Sequence, residues 1–98
     1  MPARILIADD SRTMRSMVRA ALDADGHDVV QAADGREALA WLASGRPDLI
    51  ITDVNMPNVD GIELVRAVRR VPRFQHTPIL VLTTEDGADM KQRGREAG

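Results

Sequence analysis

Three aspartates stand where short apolar runs give way to loops. Asp53 follows the run at residues 49–51, and the adjacent pair Asp9 and Asp10 follows the run at residues 4–8. Short apolar runs bounded by turn residues are typical of strands buried on both faces. In an open α/β sheet, ligands bind outside the carboxyl ends of the strands. Asp53 is therefore the first candidate for chemistry.

The three carboxylates are candidate ligands for a divalent cation. If the strands that end at Asp9 and Asp53 are neighbours, the carboxylates meet and repel one another, which calls for a cation or a raised pKa. The chain has no cysteine, and its lysine, Lys91, is remote in sequence. Oxygen ligands without sulfur or a nearby imidazole favour Mg²⁺.

A simpler interpretation of the first aspartate pair is that Asp9, Asp10 or Ser11 caps the helix that follows, where negative charge is stabilising. The coincidence with Asp53, and with Thr83 at the end of a fourth apolar run, weighs against caps alone.

The elements that must position these residues alternate along the chain. We predict strands at 4–8, 28–32, 49–53 and 79–82, and helices after Ser11, Asp34 and Asp60, with a weak polar helix at 87–97. Alternation of this kind requires right-handed crossovers and a parallel sheet with helices on both faces. The prediction is one α/β domain over residues 1–98.

Side-chain patterns predict how the helices pack. The apolar stripe of the first helix places Met14 and Met17 in the core, with Gly26 ending the helix. Two sets of arginines are predicted to lie on solvated helix faces. These are Arg12, Arg15 and Arg19 in the first helix, and Arg66, Arg69, Arg70 and Arg73 in and after the third.

Composition narrows the partners and the compartment. The 98 residues are 44% hydrophobic and 29% charged, with a net charge of −2. This balance predicts neither direct nucleic-acid binding nor membrane binding, and no apolar run approaches the ~20 residues needed to cross a bilayer. We expect a cytoplasmic location.

A combination of motifs resembles the receiver domain of two-component response regulators, most closely single-domain chemotaxis regulators of the CheY type. The motifs are Asp9-Asp10, Asp53-Val54-Asn55-Met56-Pro57, Asp60-Gly61 and Thr83-Thr84-Glu85. The resemblance implies a flavodoxin-like, doubly wound parallel sheet of strand order 2-1-3-4. It also implies a regulator that promotes its own phosphorylation and dephosphorylation, rather than an enzyme acting on a separate substrate.

The resemblance assigns roles by position. Asp53 would accept a phosphoryl group from a histidine kinase or phosphotransfer protein, and a downstream target protein would read the result. Asp10 would bind Mg²⁺ directly and Asp9 partly through water, with Asp53 and the backbone carbonyl of Asn55 as further ligands. Thr83 would hydrogen-bond a phosphoryl oxygen, and Asn55 and Glu85 would tune the lifetime of the acyl phosphate.

The family continues beyond a pair like Ala97-Gly98 into a fifth strand, a lysine that contacts the phosphoryl group and a final helix. We therefore expect a truncated receiver that lacks the fifth βα unit. The apolar strand at 79–82 would then form an exposed edge through which the chain self-associates. The alternative function is a truncated, non-phosphorylated receiver-like interaction module.

Two other aspartate- or phosphate-using classes fit less well. A flavodoxin needs a Ser/Thr/Gly-rich phosphate loop after the first strand, where Asp9 and Asp10 would repel the phosphate. A haloacid-dehalogenase-like phosphotransferase carries a second carboxylate two positions after its nucleophile, where this chain has Asn55.

Overall fold

A computed structural model of the chain describes residues 3–82. Four strands and three α-helices alternate, with a short 3₁₀ helix before the last strand. The strands are β1 (Arg4–Ala8), β2 (Asp28–Ala32), β3 (Leu49–Asp53) and β4 (Ile79–Leu82). The helices are α1 (Arg12–Ala24), α2 (Gly35–Leu42) and α3 (Gly61–Arg69), and the 3₁₀ helix is Pro72–Phe74.

The strands form a parallel sheet of order β2-β1-β3-β4. The predicted flavodoxin-like fold class and strand order are therefore confirmed. The predicted helix at 87–97, together with Thr83, Glu85 and Lys91, lies outside the described residues. None of the helices in residues 3–82 has the length and apolar character needed to cross a membrane.

Alternating side chains of β1 and β3 divide the core between the two faces of the sheet. Leu6, Ala8 and Ile50 pack under α2 and α3, whereas Ile5, Ile7 and Ile51 pack under α1. Both central strands are thus covered on both faces, which explains their nearly unbroken apolar sequences. The carboxyl ends of β1 and β3 are held side by side as a result.

The prediction that Met14 and Met17 are core residues is wrong. Met14 is 39% exposed and Met17 is 62% exposed. The helix packs on the sheet through Val18 and Leu22, which lie on one side of the apolar stripe. The stripe is wider than the face that contacts the sheet, so both methionines are left toward solvent.

Strand β4 lies at one edge of the described sheet and is only partly covered. Leu80 is 51% exposed, while its neighbours in the strand are partly buried. Ile79 and Val81 pack toward α3, whereas Leu80 projects from the opposite face. In the described part of the chain, β4 is an edge strand with an exposed apolar side chain.

Three of the arginines expected on solvated faces also donate hydrogen bonds to backbone carbonyls. The Arg69 guanidinium donates to the carbonyls of Phe74 and Thr77 at 2.8 Å each. The Arg73 guanidinium donates to Leu42 at 2.7 Å and Ala43 at 3.2 Å, at the carboxyl end of α2. Arg15, described below, is the third.

Candidate functional site

The pairing register of β1 and β3 brings the candidate residues to one edge of the sheet. Ala8 lies opposite Thr52, so Asp9 and Asp53 follow at adjacent strand ends. One carboxylate oxygen each of Asp9, Asp10 and Asp53 lies within 4.8 Å of the others. The predicted juxtaposition of the two strand ends is therefore present, with three carboxylates in one pocket.

The burial of these carboxylates is graded. Asp9 is buried, with 7% of its surface exposed, Asp53 is half-buried and Asp10 is exposed. A cluster open on one side can take a cation that keeps several of its waters, as Mg²⁺ usually does. The donor set fits that ion because it consists of hard carboxylate oxygens.

Local hydrogen bonds orient Asp9 at the start of α1. Its Oδ1 accepts from the backbone N–H of Ser11 at 2.8 Å. Ser11 is itself the N-cap of α1, since its Oγ accepts from the N–H of Met14 at 3.2 Å. Of the three residues considered as the cap of this helix, Ser11 is the one that caps it. The Asp10 carboxylate is therefore available to the acidic cluster.

Arg15 is a contributor that the sequence prediction missed. Its Nη1 donates to the backbone carbonyl of Asp9 at 2.6 Å, so this side chain is not simply solvated. Long helical side chains point back toward the helix N-terminus. Arg15 lies one turn after the Ser11 cap, and that position is the signal that could have identified the contact.

Asp53 carries an electrostatic cost. Partial burial raises its pKa above the ordinary value, and the backbone N–H of Val54, which donates to Oδ1 at 2.8 Å, opposes the rise. The negative charge of Asp9 raises the pKa further, the N–H of Asn55 lowers it, and the charge of Asp10 adds a smaller rise. A cation among the three carboxylates would relieve the repulsive part of this cost.

The loop between β3 and α3 closes tightly after Asp53. The N–H of Gly61 donates to the carbonyl of Val54 at 2.9 Å, and a Cβ on Gly61 would collide with the carbonyl oxygen of Asp53. Met56 is buried in the core beneath α2 and α3, while Asn55 is exposed. The loop is therefore fixed at its base, and Asn55 follows Asp53 by two residues.

A family model for the response regulator receiver domain matches residues 5–98 of the chain. The chain belongs to this family. It is the receiver domain of a two-component response regulator, and this confirms the resemblance found in its motifs.

Individual relatives agree with this assignment. The receiver domain is 45% identical over 98 residues to the response regulator MprA of Mycolicibacterium vanbaalenii. The match includes 100% of this chain and 42% of the relative, so the chain spans well under half of that protein's length.

Two solved structures resemble the receiver domain along nearly its whole length. Chemotaxis response regulator CheY4 of Vibrio cholerae is 48% identical, with a TM-score of 0.95 over 100% of this chain and 82% of that one. The phosphorylated cyanobacterial phytochrome response regulator RcpA is 28% identical, with a TM-score of 0.91 over 99% of this chain and 76% of that one.

The receiver domain thus holds four of the predicted site residues in or beside one pocket. Asp9, Asp10 and Asp53 form the cluster, and Asn55, two residues after Asp53, contacts the Asp53 carboxylate through its backbone N–H. Thr83 and Glu85 lie outside the described residues, so their roles stay predictions.

Proposed function

We propose that this receiver domain accepts a phosphoryl group on Asp53 from the phosphohistidine of a histidine kinase or a phosphotransfer protein. The observation that carries the proposal is the cluster of three carboxylates at the carboxyl ends of two adjacent strands. A half-buried carboxylate beside two others is poorly explained by stability alone, because partial burial and the negative charges of Asp9 and Asp10 raise the pKa of Asp53.

Mg²⁺ would be held by Asp9, Asp10, Asp53 and the backbone carbonyl of Asn55. When bound, it would offset the repulsion between these carboxylates and an incoming phosphoryl group. Asp9 is prepared for such a role because its Oδ1 is already oriented by the Ser11 N–H.

Asp53 acts as the nucleophile and needs no general base, because the ionised carboxylate is itself the attacking group. The Val54 N–H fixes Oδ1, so Oδ2 is the oxygen we assign to the attack. The new oxygen–phosphorus bond forms as the phosphorus–nitrogen bond of the donor breaks. The electron pair leaves with the imidazole nitrogen, which takes up a proton.

The remaining functional assignments follow from the family and are part of the same proposal. Thr83 would bind a phosphoryl oxygen, and Asn55 and Glu85 would set the lifetime of the acyl phosphate. The phosphorylated state of RcpA and the 48% identity to CheY4 support phosphorylation and a chemotaxis-type role, respectively. A cytoplasmic location and a downstream target protein stay predictions of this account.

The test is incubation of the chain with acetyl phosphate and Mg²⁺, followed by intact-mass measurement. We expect an adduct of one phosphoryl group that is stable in acid and labile in base. Asp53→Asn should abolish it, and Asp10→Asn should slow its formation at least tenfold, because mutating even a residue that only supports a metal ligand typically lowers metal affinity or activity about 10- to 100-fold. Asp25→Asn, an exposed aspartate at the end of α1, is the matched control and should leave it unchanged.

Two results would count against this function. An equal adduct in Asp53→Asn would remove Asp53 as the acceptor. A wild-type chain that forms no adduct at any Mg²⁺ concentration would favour the non-phosphorylated interaction module instead.

Self-association through β4 is a second part of the proposal. Its basis is the half-exposed Leu80 on an edge strand of the described sheet. Exposed apolar edges pair readily with other strands.

A further inference from the structure

The Asp34 carboxylate bridges two separate elements. Its Oδ1 accepts from the N–H of Glu37 at 2.8 Å and thereby caps α2. Its Oδ2 accepts from the side-chain amide of Asn58 at 2.8 Å, in the loop between β3 and α3. One carboxylate group therefore joins the start of α2 to the loop that follows Asp53.

A backbone contact reinforces this bridge. The N–H of Gly35 donates to the carbonyl of Val59 at 3.2 Å, and a Cβ on Gly35 would collide with that carbonyl oxygen. Asn58 has a φ of 66°, a left-handed conformation that asparagine tolerates better than most residues. We call Asp34, Gly35, Asn58 and Val59 the clasp.

The clasp holds the second half of the loop, at Asn58 and Val59, which the hydrogen bond between Gly61 and Val54 does not fix. At its base, the Gly61 N–H holds the Val54 carbonyl, and Met56 anchors the middle in the core. Asn55 lies between Val54 and Met56, with an exposed side chain that gives it no anchor in the core. The backbone around Asn55 therefore depends on attachments on both sides of it.

We propose that Asp34, Gly35 and Asn58 are positioning residues that hold the β3–α3 loop in the arrangement required for Mg²⁺ binding at the carboxylate cluster. This inference rests on the proposed function, because it concerns the ligand expected from the Asn55 carbonyl. The amino-terminal end of α2 would then act on the metal site indirectly, by holding the loop that carries Asn55.

The test exchanges the two side chains of the clasp. Asn58→Asp places two carboxylates against each other and should open the clasp by repulsion. The double variant Asp34→Asn with Asn58→Asp again pairs one carboxylate with one amide. The side-chain oxygen of the new asparagine at position 34 can still cap α2. Glu37→Ala is the matched control, because it removes the hydrogen bond that the Ala33 N–H donates to the Glu37 carboxylate at the same helix end without touching the loop.

The readout is the Mg²⁺ dissociation constant of the unphosphorylated chain by titration calorimetry, measured beside the Tm of each variant. We expect Asn58→Asp to weaken Mg²⁺ binding about tenfold, as the loss of an outer positioning contact does. The double variant should restore binding, and Glu37→Ala should lower the Tm while leaving binding unchanged. If the added negative charge of Asn58→Asp acted alone, it would strengthen Mg²⁺ binding. Weaker binding in this variant would therefore come from the opened clasp and not from the change in charge.

Wild-type Mg²⁺ affinity in Asn58→Asp, with a lowered Tm, would overturn the proposal and leave the clasp a purely structural contact. Failure of the double variant to restore affinity would overturn it as well. These outcomes are separate from the phosphorylation test, because a chain that binds Mg²⁺ but takes no phosphoryl group contradicts the proposed function alone. A wild-type chain that binds no Mg²⁺ contradicts both.

Discussion

Asp53 is the residue at which the requirements of stability and of chemistry conflict. Its raised pKa means that the folded chain binds a proton there more tightly than the unfolded chain does. Stability is therefore lost as the pH rises from the ordinary value of 3.8 through the raised one, and the full cost is present at neutral pH. The same ionised carboxylate is the group that we propose as the nucleophile in phosphoryl transfer.

Asp53→Asn is therefore expected to stabilise the chain when no divalent cation is present. The asparagine keeps an oxygen for the Val54 N–H but carries no charge, so it avoids both the cost of burying that charge and the repulsion from Asp9 and Asp10. We expect the Tm in EDTA to rise by a few degrees at pH 7, and the gain to vanish below the ordinary aspartate pKa, where both chains are neutral at this position. Thermal unfolding followed by circular dichroism measures this, and a lower Tm for the variant at pH 7 would contradict it.

Single residues also mark the limit of what the sequence predicts about the site. Asp9, Asp10 and Asp53 could be placed together because strand ends in a parallel sheet share one edge. The bridge from Asp34 to Asn58 joins residues 24 positions apart in sequence, and no local pattern identifies that contact. Such pairs become visible only when the path of the loop is known.

At the scale of elements, the boundaries of strands and helices were predictable but their contact faces were not. The stripe on α1 indicated a helix correctly, yet the sheet contacts it through Val18 and Leu22 rather than through Met17. In α3, Ile62, Leu64, Val65 and Val68 are all buried. Helix α3 contacts both α2 and the sheet, so its buried face is broader than one stripe.

Arg73 shows how an exposed side chain can join two elements. It donates to the last carbonyls of α2 and lies 4.8 Å over the ring of Phe74. The last carbonyls of a helix lack partners within the helix, and a cation near the carboxyl end also interacts favourably with the helix dipole.

We expect Arg73→Met to lower the free energy of unfolding by about 1 kcal/mol, the usual net contribution of such hydrogen bonds. Urea denaturation measures the change. Arg70→Met is the matched control, since Arg70 is exposed and makes no side-chain hydrogen bond within residues 3–82. Equal losses in the two variants would mean that the contact with α2 contributes nothing.

At the scale of the whole molecule, the order of strands follows from alternating elements and from the family, and it places the acidic pocket between β1 and β3. The same order puts β4 at one edge of the described sheet, with Leu80 half-exposed. The sequence predicted an apolar edge there, although it did not indicate which side chain would face outward.

We expect the 98-residue chain to self-associate at micromolar concentration and Leu80→Lys to shift it toward the monomer, because the charge disfavours pairing of the edge strand. Sedimentation velocity gives the distribution of species. Met17→Lys is the control, since it removes an even more exposed apolar side chain from α1 rather than from the edge. A wild-type chain that sediments as a stable monomer would refute self-association.

In the proposed function, the cluster formed by Asp9, Asp10 and Asp53 directs a phosphoryl group to Asp53. The most direct measurement is to phosphorylate the chain with acetyl phosphate and Mg²⁺, reduce it with borohydride, and map the resulting homoserine by peptide mass spectrometry. We expect homoserine at position 53 and at neither position 9 nor position 10. Homoserine at either of those two positions, or an equal yield without Mg²⁺, would contradict it.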